Sequence, residues 1–370
     1  MNDLQDKCRG SLVGGAVGDA LGYAVEFVPL SIIQNRYGDA GISSYELDTD
    51  GIARFSDDTQ MSLFTAEGLL SATASDKTFE KEILPFIVKA YEYWYYTQTY
   101  PPLAMKGSWL AHIKNLWAHR APGMTCMTAL ESIALPNGRP VVNNSKGCGG
   151  VMRVAPIGIY SATHPKVIDL EHAGYLAGHA ADITHKHPLS TYSSMALAMI
   201  VADCIVYDRI DRETFRFIVM NRVLKLLGLY FKDDEHLESL SSLVLKALTL
   251  AESDTPDTEA IKELGEGWVA EETLAIAVFS VMRHIDDFEK CICCAVNHDG
   301  DSDSTGAVAG NIIGAILGYD AIPEKYIQGL ELHDLLLSVA DDLCGFSQET
   351  QMKERYLRHQ PYNVQQHYLL

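Results

Sequence analysis

Two short acidic runs contain the side chains best suited to bind metal ions. The first is 56–59 (SDDT), and the second is 299–305 (DGDSDST), which places three carboxylates within five residues. Both runs offer hard oxygen ligands, which suit Mg²⁺, Mn²⁺ or Ca²⁺ and disfavour zinc or copper. If they meet, their carboxylates exceed what one divalent ion needs, and two ions about 3.5–4 Å apart are expected. The alternative is a pair of solvated helix caps, since Ser and Asp favour N-cap positions.

A third polar segment, 143–153 (NNSKGCGGVMR), is rich in glycine. Gly, Asn and Ser tolerate unusual backbone conformations and allow several amide groups to converge. A loop of this kind at the start of a helix can bind a pyrophosphate. Most glycine-rich loops are ordinary turns, so the segment alone does not decide between the two interpretations.

The elements that must position these runs are predicted to be helices. Apolar residues recur at three- and four-residue spacing in 63–70, 83–95, 192–206, 215–229, 237–250 and 273–282. Alternation with a period of two, which is typical of half-buried strands, is almost absent. We therefore predict an all-α fold with many helices and short loops.

Two glycine stripes predict an unusually close helix contact. Glycines recur every fourth residue at 10, 14, 18 and 22, and again at 306, 310, 314 and 318. On a helix this spacing puts them on one face, and each interior glycine costs roughly 1 kcal/mol relative to alanine. We expect both helices at the centre of the bundle, either against each other or packed separately against different neighbours.

The bulk composition limits the class of protein. The 370 residues include 29 basic and 49 acidic side chains, a formal net charge of -20. This balance disfavours nucleic acid and anionic membranes as partners. We expect no signal peptide, no membrane span (195–206 reads as too short), and a cytoplasmic location with reduced cysteines. We expect a single domain over 1–370, with about 347–370 as a loosely packed tail.

At these residues the sequence resembles the ADP-ribosylglycohydrolase family. The motifs that carry the resemblance occur in the family's order: 9–22 (RGSLVGGAVGDALG) with Glu26, 55–61 (FSDDTQM), 120–123 (RAPG), the glycine-rich loop, Thr184-His185, 267–272 (GWVAEE) and 300–306 (GDSDSTG). Each motif is modest alone, but their joint order is specific. The residues at 120–123 and 300–306 resemble the motifs of the arginine-directed branch of the family more than those of the serine-directed branch.

The resemblance implies an all-α, compact orthogonal multi-helix bundle with a central binuclear Mg²⁺ or Mn²⁺ site. Its implied metal ligands are Ser56, Asp57, Asp58, Asp301, Asp303 and Ser304. Its implied ADP-ribose contacts are Asn144, Ser145, Lys146, Gly147, Cys148, Gly149 and His185. The implied catalytic groups are Glu26, Asp58 and Asp303, and the general base is left open between Glu26 and Asp58. Cys148 stands where the family often has asparagine, which puts that side-chain contact in doubt.

The activity implied by the resemblance is metal-dependent removal of ADP-ribose from a protein side chain. The expected linkage is to a nitrogen of arginine. The partners implied are an ADP-ribosylated protein and ADP-ribose, with an ADP-ribosylating toxin as a further candidate that such activity would protect against. Alternatives are hydrolysis of serine-linked, nucleic-acid-linked or small-molecule ADP-ribosyl compounds. A non-catalytic protein that binds ADP-ribose or blocks a toxin is the other alternative; it would require lost acidic residues, and every motif acid is present.

Overall fold

The computed structural model describes residues 3–102, 107–135 and 138–357. Its α-helices, in chain order, are α1 (Asp3–Tyr23), α2 (Leu30–Tyr37), α3 (Asp57–Ala74), α4 (Glu80–Thr99), α5 (Met124–Ala134), α6 (Ala155–Thr163), α7 (Leu170–Asp182), α8 (Pro188–Val206), α9 (Arg212–Phe217), α10 (Lys225–Tyr230), α11 (Glu235–Ala251), α12 (Asp257–Leu264), α13 (Ala270–Arg283), α14 (Phe288–Val296), α15 (Ser302–Leu317), α16 (Glu324–Ile327), α17 (His333–Leu343) and α18 (Glu349–Tyr356). Across these described ranges the only extended pairing is two isolated β-bridges, so the predicted all-α fold is confirmed.

The helical segments predicted from apolar spacing are all present. They correspond to α3, α4, α8, α11 and α13, and to the continuous helical stretch from α9 to α10. That last stretch contains an unpredicted π-helical segment, Ile218–Leu224, which joins the two helices. Apolar periodicity therefore located the helices but not this local change in winding.

The two glycine stripes pack directly against each other. α1 and α15 run antiparallel, and ideal Cβ atoms built on Gly14 and Gly310 would lie 2.5 and 2.0 Å from the opposing carbonyl oxygens. The same reciprocal approach joins Gly10 to Gly314 and Gly18 to Gly306. No side chain fits between the backbones, so of the two alternatives the structure shows mutual contact rather than separate packing.

A matched pair of hydrogen bonds fixes the register of this contact. The Ser11 hydroxyl donates to the Asn311 carbonyl at 2.9 Å, and the Asn311 side-chain amide donates to the Ser11 carbonyl at 2.8 Å. Both residues are buried, so a slip of one helix along the other would leave these polar groups unpaired. The register places the C-terminal end of α1 beside the N-terminal end of α15.

Helix α8 is longer than the sequence pattern indicated. Among the described residues it alone is long and apolar enough to cross a membrane, with a mean hydropathy of 1.6. The expectation that this stretch is too short is therefore wrong. However, 89% of that window is buried inside the protein, where α8 packs against α6, α7 and α13. Burial among other helices explains its apolar composition.

The predicted loose tail is packed over its first part. α18 lies within it, and the Tyr356 side chain is only 1% exposed. The Tyr356 hydroxyl and the Arg355 guanidinium both donate to Asp342, at 2.8 and 2.7 Å. These contacts hold the chain against α17 as far as Tyr356, while 358–370 lie outside the described residues.

Replacing Gly310 with alanine should destabilise the fold strongly. The new methyl group would lie 2.0 Å from the Gly14 carbonyl oxygen. The other two atoms nearest to it also belong to the backbone of α1, which cannot move aside. We expect a loss of about 3 kcal/mol or more in the free energy of unfolding, measured by urea denaturation.

The matched control is Gly228→Ala in α10, where an added Cβ would meet nothing within 4 Å. This change should raise stability by about 0.5–1 kcal/mol, because alanine is the better helix former. Equal effects of the two substitutions would contradict the proposed role of the glycine contact.

Candidate metal and substrate site

The N-terminal ends of α3 and α15 bring the two acidic runs together. Ser56 caps α3, where its hydroxyl accepts from the Asp58 amide, and Asp301 caps α15 by accepting from the Ser304 amide. The Ser304 hydroxyl then donates to an Asp58 carboxylate oxygen at 2.8 Å. Both runs are thus helix caps, but they are buried rather than solvated, and they meet at a single site.

Asp19 orients the first run from α1. One of its carboxylate oxygens accepts from the Ser56 amide at 2.8 Å. The other accepts from the Thr59 amide at 2.9 Å and from the Thr59 hydroxyl at 2.5 Å. Since α1 is held against α15, Asp19 ties the N-terminus of α3 to the same pair of helices.

The carboxylates at this site are buried and crowded. Asp57, Asp58, Asp301 and Asp303 are each 3–6% exposed. Burial, followed by the charges of neighbouring carboxylates, raises the pKa of Asp58 and of Asp303 well above the usual range. Burial also raises the pKa of Asp57, although the Gly123 amide donates to it at 3.4 Å.

Among the described residues, these carboxylates have no cationic side chain as an ion-pair partner. Within the described part of the chain, no Lys, Arg or His side chain forms an ion pair with the four aspartates, with Asp19 or with Glu26. Buried like charges are unstable without a counter-ion. Carboxylate and hydroxyl oxygens from both runs therefore fit one or more divalent cations such as Mg²⁺ or Mn²⁺.

Glu26 lies at the rim of the same site. It follows α1, and the amide of the next residue, Phe27, donates to the Gly300 carbonyl at 3.2 Å. Its side chain is partly buried, and burial together with the charges of Asp301 and Asp19 raises the pKa of Glu26 to about 8. No described group donates a hydrogen bond to its carboxylate, so its oxygens are left for a bound cation, water or ligand.

The glycine-rich loop is held between two distant segments. The Cys148 amide donates to the Trp268 carbonyl at 3.2 Å, and the Ala270 amide donates to the Lys146 carbonyl at 2.8 Å. On the other side, the Asn143 side-chain amide donates to the Thr184 carbonyl at 2.8 Å. The loop is therefore a fixed wall of the site.

The predicted substrate-binding side chains of this loop have different surroundings. Asn144 is exposed, and the Lys146 ammonium is paired with Glu271. Gly147 and Gly149 lie against His185: an added Cβ at Gly149 would come 2.8 Å from the imidazole. The Ser145 hydroxyl lies 3.3 Å from the Thr125 hydroxyl, within hydrogen-bond distance.

Cys148 connects this loop to the acidic site. Its thiol donates to an Asp301 carboxylate oxygen at 2.9 Å. Burial and the Asp301 charge raise the pKa of the thiol well above its usual value. The cysteine that replaces the family's usual asparagine thus remains a hydrogen-bond donor at this position.

An aromatic pair and a cleft lie beside Glu26. The Phe27 and Trp268 rings stack with centroids 5.1 Å apart and an angle of 5° between their planes. Phe27 is 61% exposed and has a left-handed backbone, with φ of 61°. Behind Trp268 is a cleft of about 440 Å³ whose lining includes Glu266, Glu272 and Asp299. Aromatic and acidic surfaces therefore flank the mouth of the site.

A second group of metal-capable side chains lies elsewhere. Ligand atoms of Asp257, His284 and Cys294 lie within 4.8 Å of one another, closer than any three of the acidic-run carboxylates. However, His284 already pairs with Asp257 at 2.9 Å, and Arg283 lies 3.5 Å from the same carboxylate. Burial raises the pKa of the Cys294 thiol, which disfavours the thiolate. This group is therefore an internal ion pair rather than a site that needs a cation.

Sequence reasoning missed three side chains that shape the site. Phe27 and Trp268 stand within or beside motifs, but nothing local indicates that they stack. Arg153 closes the glycine-rich segment, yet it is fully buried behind His185 rather than facing the ligand loop. Only the contrast between a long basic side chain and its apolar neighbours at 151–159 hinted at a buried arginine.

Comparison with known proteins agrees with this geometry. The sequence profile of the family described as ADP-ribosylglycohydrolase matches residues 1–353. The ADP-ribosylarginine hydrolase Tri1 of Serratia proteamaculans is 26% identical, covering 93% of this chain and 80% of its own length. The ADP-ribosyl-[dinitrogen reductase] glycohydrolase of Rhodospirillum rubrum is 26% identical over 89% of this chain and 92% of its own.

Two further relatives extend the comparison. The ADP-ribosylhydrolase ARH3 of Danio rerio is 25% identical over 92% of this chain and 90% of its own. A solved structure titled ADP-ribosylglycohydrolase-related protein complex superposes with a TM-score of 0.61 at 25% identity, covering 94% of this chain and all of its own. The chain therefore belongs to the ADP-ribosylglycohydrolase family and is an enzyme of that class.

Divalent metal should stabilise the protein through the acidic site. We expect Mg²⁺ or Mn²⁺ to raise the melting temperature relative to a chelator, and Asp303→Asn to abolish most of that gain. The gain should grow as pH rises, because metal ligands must lose their protons to bind. In chelator we expect the opposite dependence on pH. The raised pKa values of the buried aspartates stabilise the folded protein at low pH, and this stabilisation is lost as pH rises.

The matched control is Asp299→Asn. It removes one charge from the same segment, and asparagine can still accept from the Leu30 amide, which Asp299 does at 2.8 Å. This variant should keep the full response to metal in differential scanning fluorimetry. A response lost equally in both variants would contradict the assignment of Asp303 as a ligand.

Proposed function

We propose that this protein is a metal-dependent hydrolase that removes ADP-ribose from arginine side chains of proteins. The observation that carries the proposal is the meeting of two buried acidic runs, which pair with no cation in the described part of the chain, beside a fixed glycine-rich loop. The first feature suits divalent cations and the second suits a diphosphate. The relatives named for arginine and dinitrogen-reductase substrates support the linkage.

Each part of the site receives a role under this proposal. Ser56, Asp57, Asp58, Asp301, Asp303 and Ser304 would hold two Mg²⁺ or Mn²⁺ ions. Bound metal lowers the pKa of a coordinated water and polarises substrate hydroxyls. The backbone of 144–149 would hold the diphosphate, and His185 would contact the ribose. The acidic side chains thus act on the sugar, while the loop holds the rest of the ligand.

Glu26 is our choice for the general base. Asp58 is buried, one of its oxygens accepts from the Ser304 hydroxyl at 2.8 Å, and its remaining lone pairs would coordinate metal. Glu26 is partly exposed, receives no hydrogen bond from a described group, and sits beside the acidic site. It would take a proton from the attacking water as the bond from the anomeric carbon to the guanidine nitrogen breaks. The transition state resembles an oxocarbenium ion, as in other glycoside hydrolysis.

The surroundings of the site mouth favour arginine as the modified side chain. A guanidinium group is planar and cationic, and it stacks on aromatic rings. The exposed Phe27–Trp268 pair offers such a surface, and Glu266 adds a carboxylate that accepts from the Trp268 indole at 2.8 Å. A serine-linked substrate would gain little from either feature.

Trp268→Ala should weaken the reaction selectively for arginine-linked substrate. We expect kcat/KM to fall about 2- to 30-fold, corresponding to about 0.5–2 kcal/mol of lost cation–π interaction. Phe79→Ala removes an aromatic ring that is 71% exposed at the start of α4, and it is the control expected to change nothing. An equal loss with a serine-linked substrate would contradict the proposed selectivity.

The activity itself is tested by intact-protein mass spectrometry of an arginine-ADP-ribosylated protein. We expect loss of one ADP-ribose with Mg²⁺ or Mn²⁺, no loss in chelator, and a rate reduced by about 10²–10⁴ for Glu26→Gln. Cleavage of a serine-linked control alone would move the enzyme to the other branch. Cleavage of neither linkage, with metal bound, would favour a small-molecule substrate or a binding role.

A toxin-directed role and a cytoplasmic location are further proposals. The relative named Tri1 is an ADP-ribosylarginine hydrolase. If this protein catalyses the same reaction, it would reverse the modification of a target by an ADP-ribosylating toxin. A pull-down of such a toxin by the Asp303→Asn variant would separate direct blocking from hydrolysis. The net charge of -20 supports a protein substrate over a nucleic acid.

A further inference from the structure

Arg153 is a buried cation that has no carboxylate partner among the residues that the structure describes. Its side chain is 0% exposed, and its guanidinium lies 4.4 Å from the centre of the Tyr91 ring. One guanidinium nitrogen donates to the Ala180 carbonyl at 2.9 Å and to the Thr184 hydroxyl at 2.7 Å. The other faces the sulfur atoms of Met61 and Cys126. Burying a charge in this way is costly, so its position calls for a specific use.

The Arg153 bond determines how Thr184 can bond to His185. The Thr184 hydroxyl has one hydrogen, and its oxygen already accepts from Arg153. That hydrogen can go to the His185 Nδ1 at 2.8 Å, to the Ala181 carbonyl at 3.5 Å or to the Cys126 sulfur, which is a weak acceptor. The carbonyl already accepts from the Thr184 and His185 amides, at 3.1 and 3.0 Å. The short path is therefore from the hydroxyl to Nδ1.

The opposite edge of the imidazole faces the ligand loop. His185 is 2% exposed, and a Cβ added at Gly147 would lie 3.3 Å from its Nε2. No described residue forms a hydrogen bond with Nε2. Burial, aided by the Arg153 charge, lowers the pKa of His185 to about 3, so the ring is neutral near pH 7. A neutral ring whose Nδ1 accepts must carry its proton on Nε2.

We propose that Arg153, acting through Thr184, holds His185 in the Nε2–H tautomer, so that the ring donates a hydrogen bond to an oxygen of the bound ADP-ribosyl group. Arg153 and Thr184 are positioning residues in this arrangement, and neither touches the ligand. The tautomer assignment stands on the hydrogen bonds alone. The identity of the acceptor rests on the proposed function.

The test uses the full-length protein with ¹⁵N-labelled histidine, without metal or ligand. In the wild type we expect a protonated-nitrogen shift at Nε2 of His185 and an unprotonated one at Nδ1; His185→Gln assigns the signals. Thr184→Val keeps the shape but removes the hydroxyl, and it should give a mixture of tautomers. Thr184→Ser keeps the hydroxyl and should restore the wild-type pattern.

Binding of ADP-ribose, measured by calorimetry with saturating Mg²⁺, gives the functional readout. We expect Thr184→Val to weaken binding about 2- to 10-fold, the value of one hydrogen bond, and Thr184→Ser to bind like the wild type. Equal losses in both variants would show that the effect does not follow the Thr184 hydroxyl and would overturn the proposal.

The two proposals fail in distinguishable ways. A proton on Nδ1 in the unliganded wild type, or unchanged tautomers in Thr184→Val, overturns the inference about Arg153 and leaves hydrolysis untouched. Failure of the wild type to bind ADP-ribose overturns the proposed function and the identity of the acceptor, whatever the tautomer.

Discussion

The close packing of α1 against α15 is the constraint on which the rest of the structure depends. Facing glycines let the two backbones approach until a single Cβ would collide with an opposing carbonyl. Because the helices are antiparallel and the Ser11–Asn311 bonds fix their register, the end of α1 meets the start of α15. Asp19 and Glu26 therefore reach the acidic N-terminus of α15 and, through Asp19, the N-terminus of α3. The fold accepts the conformational cost of many glycines to place carboxylates from three segments together.

The concentration of carboxylates that this packing produces gives the site its chemical properties. Buried aspartates that pair with no described cation raise one another's pKa, and a divalent ion would remove that conflict by replacing protons. The glycine-rich loop and His185 form the other side of the site. The glycine-rich loop is fixed by backbone hydrogen bonds to 268–270, and the neutral His185 lies against it. Charge is therefore gathered on the side of the acidic runs, while the loop side offers neutral donors, which suits a ligand with a sugar at one end and phosphates beyond it.

Much of this could be predicted from the sequence, because the signals were local. Helix positions followed from apolar spacing, the α1–α15 contact from glycines every fourth residue, and the acidic runs from residue type and position before a helix. What could not be predicted depends on contacts between distant segments. The stacking of Phe27 on Trp268 joins residues far apart in the chain, and the burial of Arg153 depends on helices α4 and α7 packing around it. The packing of α18 likewise required Asp342 as a partner, which the polar composition of that segment concealed.

The central claim is that the two acidic runs form a single binuclear metal site, and anomalous X-ray scattering from crystals grown with Mn²⁺ tests it most directly. The account predicts two neighbouring anomalous peaks, one or both contacted by Asp303, between the N-terminal ends of α3 and α15. Manganese located instead at Asp257, His284 and Cys294, or absent from the acidic runs at saturating concentration, would contradict it.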